Sequence, residues 1–503
     1  MSTLELLVFL PLLAALAIGF GAPARATALG ASILVLAITF SCLFRFHTTV
    51  EGVGTWQFAS SRLLLDTPGF PKLSLAFGLD GISLVLVLLS AIVLLSAVLV
   101  APCAAEIKGS ARLYYLSLLL IGGGALGAFC STDLFFLYAF HELALIPTFL
   151  MIGIFGHGSD RVRTAWTITI YLGVGSLVLL AGLLLAVWGL GGTTFDVAEL
   201  VAAARTSAID ATTQGWVFLL LLIGFGILVS LFPFHSWAAP AYAEAPTPVT
   251  MLHAGVLKKF GLYGLIRIAL PLAPAGAEKW LNLLLILLLG NILYIGLVTI
   301  AQKKLDRMLG YSSVMHMGYI FLGIAAGNVV GISGAVLLMF AHGLSIALLF
   351  GMAGWMRERF GDLDFWKFGG LAKSLPRLGL LFGFAAFASI GLPGFANFAA
   401  EVAVFFGAFA GSADEPVMTW IRWATVGALW GVVISAVYML RAYRGIFMGP
   451  KPEKLETPAD LAWGDRIPLL ILLVALIAVG FVPDLLNQFI RPAVNGWFLG
   501  SAG

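Results

Sequence analysis

The sequence predicts an all-α integral membrane protein of about fourteen transmembrane helices, and three observations support this. Of its 503 residues, 61% are hydrophobic and only 11% charged, against roughly 25% charged in an ordinary soluble domain. Apolar windows of about 20 residues, enough to cross a hydrocarbon core of ~30 Å, recur from end to end. Lys and Arg also fall unevenly between alternate connections.

In chain order the windows cover approximately 4–22, 27–46, 79–101, 112–131, 133–155, 166–190, 215–237, 247–271, 280–301, 309–328, 332–356, 377–411, 421–447 and 466–490. The first window, followed by Gly21-Ala22-Pro23-Ala24-Arg25-Ala26, resembles a secretory leader. However, it carries Glu5 and no basic residue ahead of its apolar run, so it reads as a retained first span. Connections after odd-numbered windows hold eighteen Lys and Arg, from Arg25 through Lys108, Arg161, Lys303 and Arg357 to Arg466; those after even-numbered windows hold six. This threefold bias puts the odd connections in the cytoplasm and both termini on the other side of a bacterial-type inner membrane. The longest connection, 47–78, is then non-cytoplasmic, and the chain forms a single membrane domain over 1–503. The bilayer is its evident partner; nothing points to nucleic acid.

Cys42, Cys103 and Cys130 stand apart, with no CxxC or Cys/His grouping, so neither a structural metal nor an iron–sulfur cluster is expected on this chain. Gly122-Gly123-Gly124-Ala125-Leu126-Gly127 satisfies GxGxxG in letters alone. It lies inside an apolar helix with no strand before it, so it reads as close helix packing.

Five ionisable residues sit deep inside the windows: Glu142, Lys259, His316, His342 and Glu401. At 1.5 Å per residue they lie roughly 12–18 Å from a helix end, close to the midplane. A lone charge there costs about 2.5–3.5 kcal/mol on insertion scales, and such residues usually face a bundle interior and serve transport. Carboxylates, an amine and imidazoles at one depth suit a lateral proton relay. Simpler roles stand beside this: a structural Glu142–Lys259 ion pair, or core histidines bonded to backbone carbonyls. Lys258 and Lys259 are about 100° apart on an α-helix. Gly255, Lys259, Tyr263 and Arg267 recur every four residues as one small-and-polar stripe, which makes Lys259 the inward residue and Lys258 secondary.

Helix breakers lie near these groups: Pro147, Pro233, and Gly391-Leu392-Pro393-Gly394. Unpaired backbone at membrane depth is tolerated only against protein or a water-filled cavity. Breaks in windows seven and twelve are spaced as in two inverted five-helix repeats, 112–271 and 280–447. The loop Pro233–Pro248 holds His235 and Glu244 but no Lys or Arg, and it marks either a proton entry region or a packed surface loop.

At these residues a family becomes recognisable. "GLDGISLVLVLLS" (78–90), "TDLFFLYAFHELALIP" (132–147), "PFHSW…EAPTPVTMLHAGVLKKFGLYGLIR" (233–267), "YSSVMHMGYIFLGI" (311–324), "AHGLSIALLF" (341–350) and "GLPGFANFAAEVAVFFGAF" (391–409) together resemble the antiporter-like membrane subunits of respiratory complex I. Within that family the pattern is similar to the M branch of NADH:quinone oxidoreductase, the counterpart of mitochondrial subunit four. The resemblance implies fourteen helices, inverted repeats with helices seven and twelve broken, and proton translocation driven by quinone reduction in other subunits. It implies no cofactor on this chain. NADH, flavin, iron–sulfur clusters and quinone belong to partner subunits, and L-like and N-like antiporter-like subunits flank it. Glu142, Lys259, His316, His342 and Glu401 match the family's proton-transfer residues.

The chain also departs from the pattern. A lysine is usual seven residues before the histidine of the Pro-Phe-His motif, where this sequence has Leu228, and the usual Asp and His of the following loop are Ala239 and Tyr242. Either Lys258 or Lys259 takes over the pairing with Glu142, or coupling differs. Two alternatives follow: a subunit of a multisubunit sodium/proton antiporter, or a non-pumping scaffold.

Overall fold

The computed structural model describes residues 1–48, 56–103, 105–107, 109–206, 209–410 and 418–498. Lys108 and position 411, the expected end of window twelve, lie outside them. An apolar chain in hydrocarbon must close its backbone hydrogen bonds within itself, which favours helices. The described chain is helical apart from one hairpin. Its first elements are α1 (Thr3–Gly19), α2 (Ala24–Arg45), β1 (Gln57–Leu65), β2 (Leu73–Leu79), α3 (Gly81–Val100), α4 (Ala111–Cys130), α5 (Leu134–Phe155) and α6 (Arg161–Gly189). There follow α7 (Val197–Thr206), α8 (Ala211–Val229), α9 (Ala238–Glu244), α10 (Thr247–Leu252), α11 (Lys259–Gly264), α12 (Leu270–Leu272), α13 (Pro274–Leu289) and α14 (Gly296–Ala301). The remainder are α15 (Leu305–Ala325), α16 (Val329–Phe360), α17 (Leu371–Ser374), α18 (Pro376–Ile390), α19 (Ala396–Phe409), α20 (Trp420–Phe447), α21 (Trp463–Phe481) and α22 (Asp484–Phe498).

Among the described residues eleven helices are long and apolar enough to cross a membrane, and α1, α18 and α19 are shorter apolar helices. Each predicted window overlaps a helix or a broken helix. Two departures stand out. The 47–78 connection carries the antiparallel hairpin β1–β2, so the all-α reading needs this amendment; outside hydrocarbon a strand pair is free to close its own backbone bonds. The last window ends at Phe481, because Pro483 cannot continue the helix, and α22 then packs back against α3 and α16.

Asp80, Asp133 and Asp210 start α3, α5 and α8 by accepting the first free backbone N–H groups. The glycine run of α4 serves packing: a Cβ at Gly122 would meet Leu94 at 2.7 Å, at Gly123 Leu12 at 2.5 Å, and at Gly127 the Phe140 ring at 2.4 Å. At the centre lies α16, enclosed over its whole apolar window and packed by α3, α10, α15, α18, α19, α21 and α22.

Of the three expected breakers, Pro147 stays inside the continuous helix α5, whereas the breaks in windows seven and twelve are present. α8 stops at Val229, and Ser230 takes the left-handed conformation at φ 67°. Asn291 holds this break, donating to Ser230 O at 3.2 Å and accepting from Phe232 N at 2.6 Å. α18 stops at Ile390, with Gly391 at φ 80° before α19 begins at Ala396. Residues 247–272 form one rod interrupted by π turns at His253–Leu257 and Leu265–Ala269.

Candidate proton path

The π turn at His253–Leu257 decides where the lysines point. Lys258 N bonds His253 O at 3.1 Å, five residues back, instead of the carbonyl an α-helix would use. The carbonyl so released, Ala254 O, accepts from Lys259 Nζ at 2.6 Å. The widened turn changes the angle between neighbours, and Lys258 and Lys259 both lie in the interior, 1% and 0% exposed. Lys258, secondary in the sequence reading, is thus as enclosed as Lys259. Its ammonium lies 5.4 Å from the Tyr242 ring centre and 3.4 Å from Ser313 Oγ on α15.

Lys259 Nζ is 3.1 Å from His342 Nδ1 on α16. That contact is attractive only when one of the two nitrogens offers a lone pair, so the two groups share a proton rather than each holding one. The His342 and His316 ring centres are 5.5 Å apart. His316 in turn has Ser312 O 2.8 Å from Nδ1 and Ser389 O 3.0 Å from Nε2, so a proton on either ring nitrogen finds a carbonyl acceptor. Ser389 closes α18 just before the break, so the broken helix supplies a carbonyl to the path.

Past His316 lie Tyr319 and Glu401. The Tyr319 hydroxyl and Glu401 Oε1 are buried without a hydrogen-bond partner. Glu401 Oε2 tucks under Gly391, where a Cβ would meet it at 2.4 Å. A buried polar atom of this kind needs an exchangeable or transient partner. Lys258, Lys259, His316, His342 and Glu401 therefore share one enclosed polar seam across α11, α15, α16 and α19.

Glu142 stands apart from that seam. Its side chain is 34% exposed on the chain taken alone, at the outer side of α5. It accepts from Ser176 Oγ on α6 at 2.5 Å and meets His141 Nδ1 at 3.4 Å. Among the described residues it has no ion pair with either lysine, so neither takes up the pairing expected for Leu228. Leu228 is itself 3% exposed, inside the apolar core. His235 stacks on Phe232, and its Nδ1 is buried without a partner. Glu244 reaches Arg307 at 3.7 Å and has Oε2 unpartnered beside Gly158. An open cavity of about 1210 Å³ is lined by His157, Thr247, Trp355, Arg357 and Asp465. His157 borders the same cavity, where burial and the Arg357 charge push its imidazole down to about 4, so it is neutral at pH 7.

Sequence reasoning missed three groups. Asp80 and Arg267 form a buried ion pair at 2.5 Å, with the guanidinium over Trp497, Trp56 and Tyr263 at 4.4, 4.9 and 5.4 Å. His141 and His253 are both buried. The period-four stripe already placed Arg267 on the Lys259 face; His141, one residue from Glu142, gave no periodic signal.

The family described as NADH:quinone oxidoreductase/Mrp antiporter, TM, matches residues 131–426. The chain is 34% identical over 495 residues to NAD(P)H-quinone oxidoreductase chain 4 2 of Thermosynechococcus vestitus, covering 96% of this chain and 90% of that one. It is 31% identical over 511 residues to NADH-quinone oxidoreductase subunit M of Rhodobacter capsulatus, covering 98% and 95%. Among solved structures, a chain of respiratory complex I from Thermus thermophilus with bound NADH is similar at a TM-score of 0.87 and 32% identity, covering 99% of this chain and 100% of that one.

Proposed function

The chain belongs to the NADH:quinone oxidoreductase/Mrp antiporter family of membrane proteins, and from that premise we propose that it is a proton-translocating subunit of a complex I-type oxidoreductase. The observation that carries this reading is the sealed Lys259 Nζ to His342 Nδ1 contact at 3.1 Å. When the ammonium passes its proton to the imidazole, a neutral amine remains and an imidazolium faces His316. A second transfer passes the charge on toward Glu401. No heavy-atom bond changes, so the path needs only a driving force that alternately favours one end.

That force comes from quinone reduction in other subunits, which hold the NADH, flavin, iron–sulfur and quinone sites; this chain carries none of them. L-like and N-like subunits flank it. Its fourteen crossings form two inverted five-helix units, 112–271 and 280–447, and both termini face the non-cytoplasmic side of a bacterial-type inner membrane. Glu142, Lys259, His316, His342 and Glu401 transfer protons, with Lys258, His235 and Glu244 in supporting positions.

The test is proton uptake per quinone reduced in sealed membrane vesicles. Lys259→Met and His342→Leu should each cut it several-fold at unchanged complex content. Parent-level uptake in both variants would sink the reading. The sodium/proton antiporter alternative would show instead as sodium-dependent uptake without quinone turnover. An ammonium–imidazole centre offers a sodium ion few of the oxygen ligands it prefers.

A further inference from the structure

The enclosed seam and Glu142 leave a gap, and two buried histidines, His141 and His253, stand beside it. His141 is 3% exposed, and its ring stacks on Phe260 with centres 4.0 Å apart and planes at 16°. Face-on stacking leaves both ring nitrogens at the edge, free to exchange protons, and Nδ1 is the one beside Glu142 Oε1, at 3.4 Å. Phe260 directly follows Lys259, so this imidazole rests against the helix that carries the lysine pair. His253 opens the π turn of the same rod and is 4% exposed. Its Nδ1 lies 3.4 Å from the Tyr242 hydroxyl, the ring that also underlies Lys258, while its Nε2 is buried with no partner. His253 lies within electrostatic reach of His141, Lys258 and Lys259.

A core position built only for packing has no use for an imidazole with an orphaned nitrogen; a leucine would fill the volume without leaving a polar atom unpaired. His253 carries such a nitrogen, and His141 holds its Nδ1 against a carboxylate, which suggests a different purpose for the two rings. We propose that His141 and His253 form a two-imidazole bridge that passes protons between Glu142 and the Lys258–Lys259 pair. This extends the proposed function and rests on it.

The step balances without any redox partner. A protonated Glu142 gives its proton to Nδ1 of His141, whose ring then releases the proton on Nε2. His253 accepts at one nitrogen, releases from the other, and a neutral lysine amine takes the proton up. One proton moves and no electrons do. The space between the two rings is crossed by ring rotation or by an intervening water.

The test uses the complete complex in sealed vesicles and measures protons moved per quinone reduced. His141→Phe keeps the stacking on Phe260 and removes both nitrogens. It should lower the ratio several-fold, as Glu142→Gln does, and the double variant should be no worse than either single one, because both cut the same branch. His253→Leu should match them; if it fails to assemble, His253→Gln, which keeps a polar group but cannot relay, carries that arm. Parent-level pumping in His141→Phe, or fully additive losses in the double variant, would overturn the bridge. Lys259→Met separates the two claims. If it is defective while His141→Phe is normal, only the bridge falls; if both pump normally, the proposed function falls with it.

Discussion

Arg267→Met is the perturbation whose size the structure sets best. The guanidinium is 1% exposed, pairs with Asp80 at 2.5 Å, and lies over the rings of Trp56, Tyr263 and Trp497. Removing one member of a buried pair costs about 3–5 kcal/mol, because the survivor keeps an uncompensated charge. The lost cation–π contacts add about 0.5–2 kcal/mol each when desolvated. Opposing this, Asp80 retains Ile82 N, Ser83 N and Trp497 Nε1 as donors, which holds the net loss near the lower figure. Cys130 is a built-in reporter: it is 0% exposed, ends α4, and adjoins Phe129, whose carbonyl accepts from the Tyr263 hydroxyl. If local opening limits access, about 3 kcal/mol corresponds to roughly a hundredfold faster maleimide labelling. Labelling in membranes, resolved by mass spectrometry with exposed Cys103 as the internal standard, measures this directly. A change in the Cys130 rate below about threefold would mean that the aromatic cage alone holds this end of the bundle, and the ion-pair argument would fail.

Three further outcomes follow from other residues. Gly391→Ala puts a side chain on a φ of 80° and a Cβ 2.4 Å from Glu401 Oε2; it should cost about 1–2 kcal/mol of stability and lower proton uptake as Glu401→Gln does, and normal uptake would dissociate the break from the carboxylate. Leu228→Lys should restore pumping to His141→Phe. Its neighbour Ile227 already meets α6 at Gly175, beside the Ser176 that holds Glu142, so absence of rescue would mean an ammonium at 228 cannot reach that carboxylate. Asp362, in the turn after α16, is held down at about 2 by the hydrogen bond from Lys367 and by Lys304. A depressed carboxylate contributes stability above its ordinary 3.8 that is lost as pH falls through about 2. Hydrogen exchange of residues 361–368, corrected for intrinsic rates, should therefore quicken over that window in the parent and stay flat in Asp362→Asn.

Where the sequence was legible, hydrophobic length and simple spacing were enough. The windows located the helices because hydrocarbon leaves a backbone few other ways to pair, and Pro233 and Gly391 marked the breaks because each removes something an α-helix requires. The enclosed lysine, histidines and Glu401 were visible as ionisable letters in apolar text. What stayed hidden depends on a local departure from α geometry. The period-four argument ranked Lys258 as secondary because it read burial as a property of one face, whereas this rod is enclosed on all sides and turns π-helical from His253 to Leu257. The same assumption left His141 unnoticed, since a residue next to Glu142 should point elsewhere. Here the two share a contact because the glutamate turns toward Ser176 at the rim of α5 and the histidine turns inward onto Phe260. The β hairpin was missed for another reason: outside the bilayer, hydropathy no longer dictates secondary structure. Insertions of this kind in a helix recur at functional sites because they re-aim side chains and free a carbonyl. In this chain the freed Ala254 carbonyl bonds the very lysine that meets His342. A rule that reads regular helices will therefore fail most often at the residues that move charge, and adjacency in sequence to a buried carboxylate deserves as much weight there as helical periodicity.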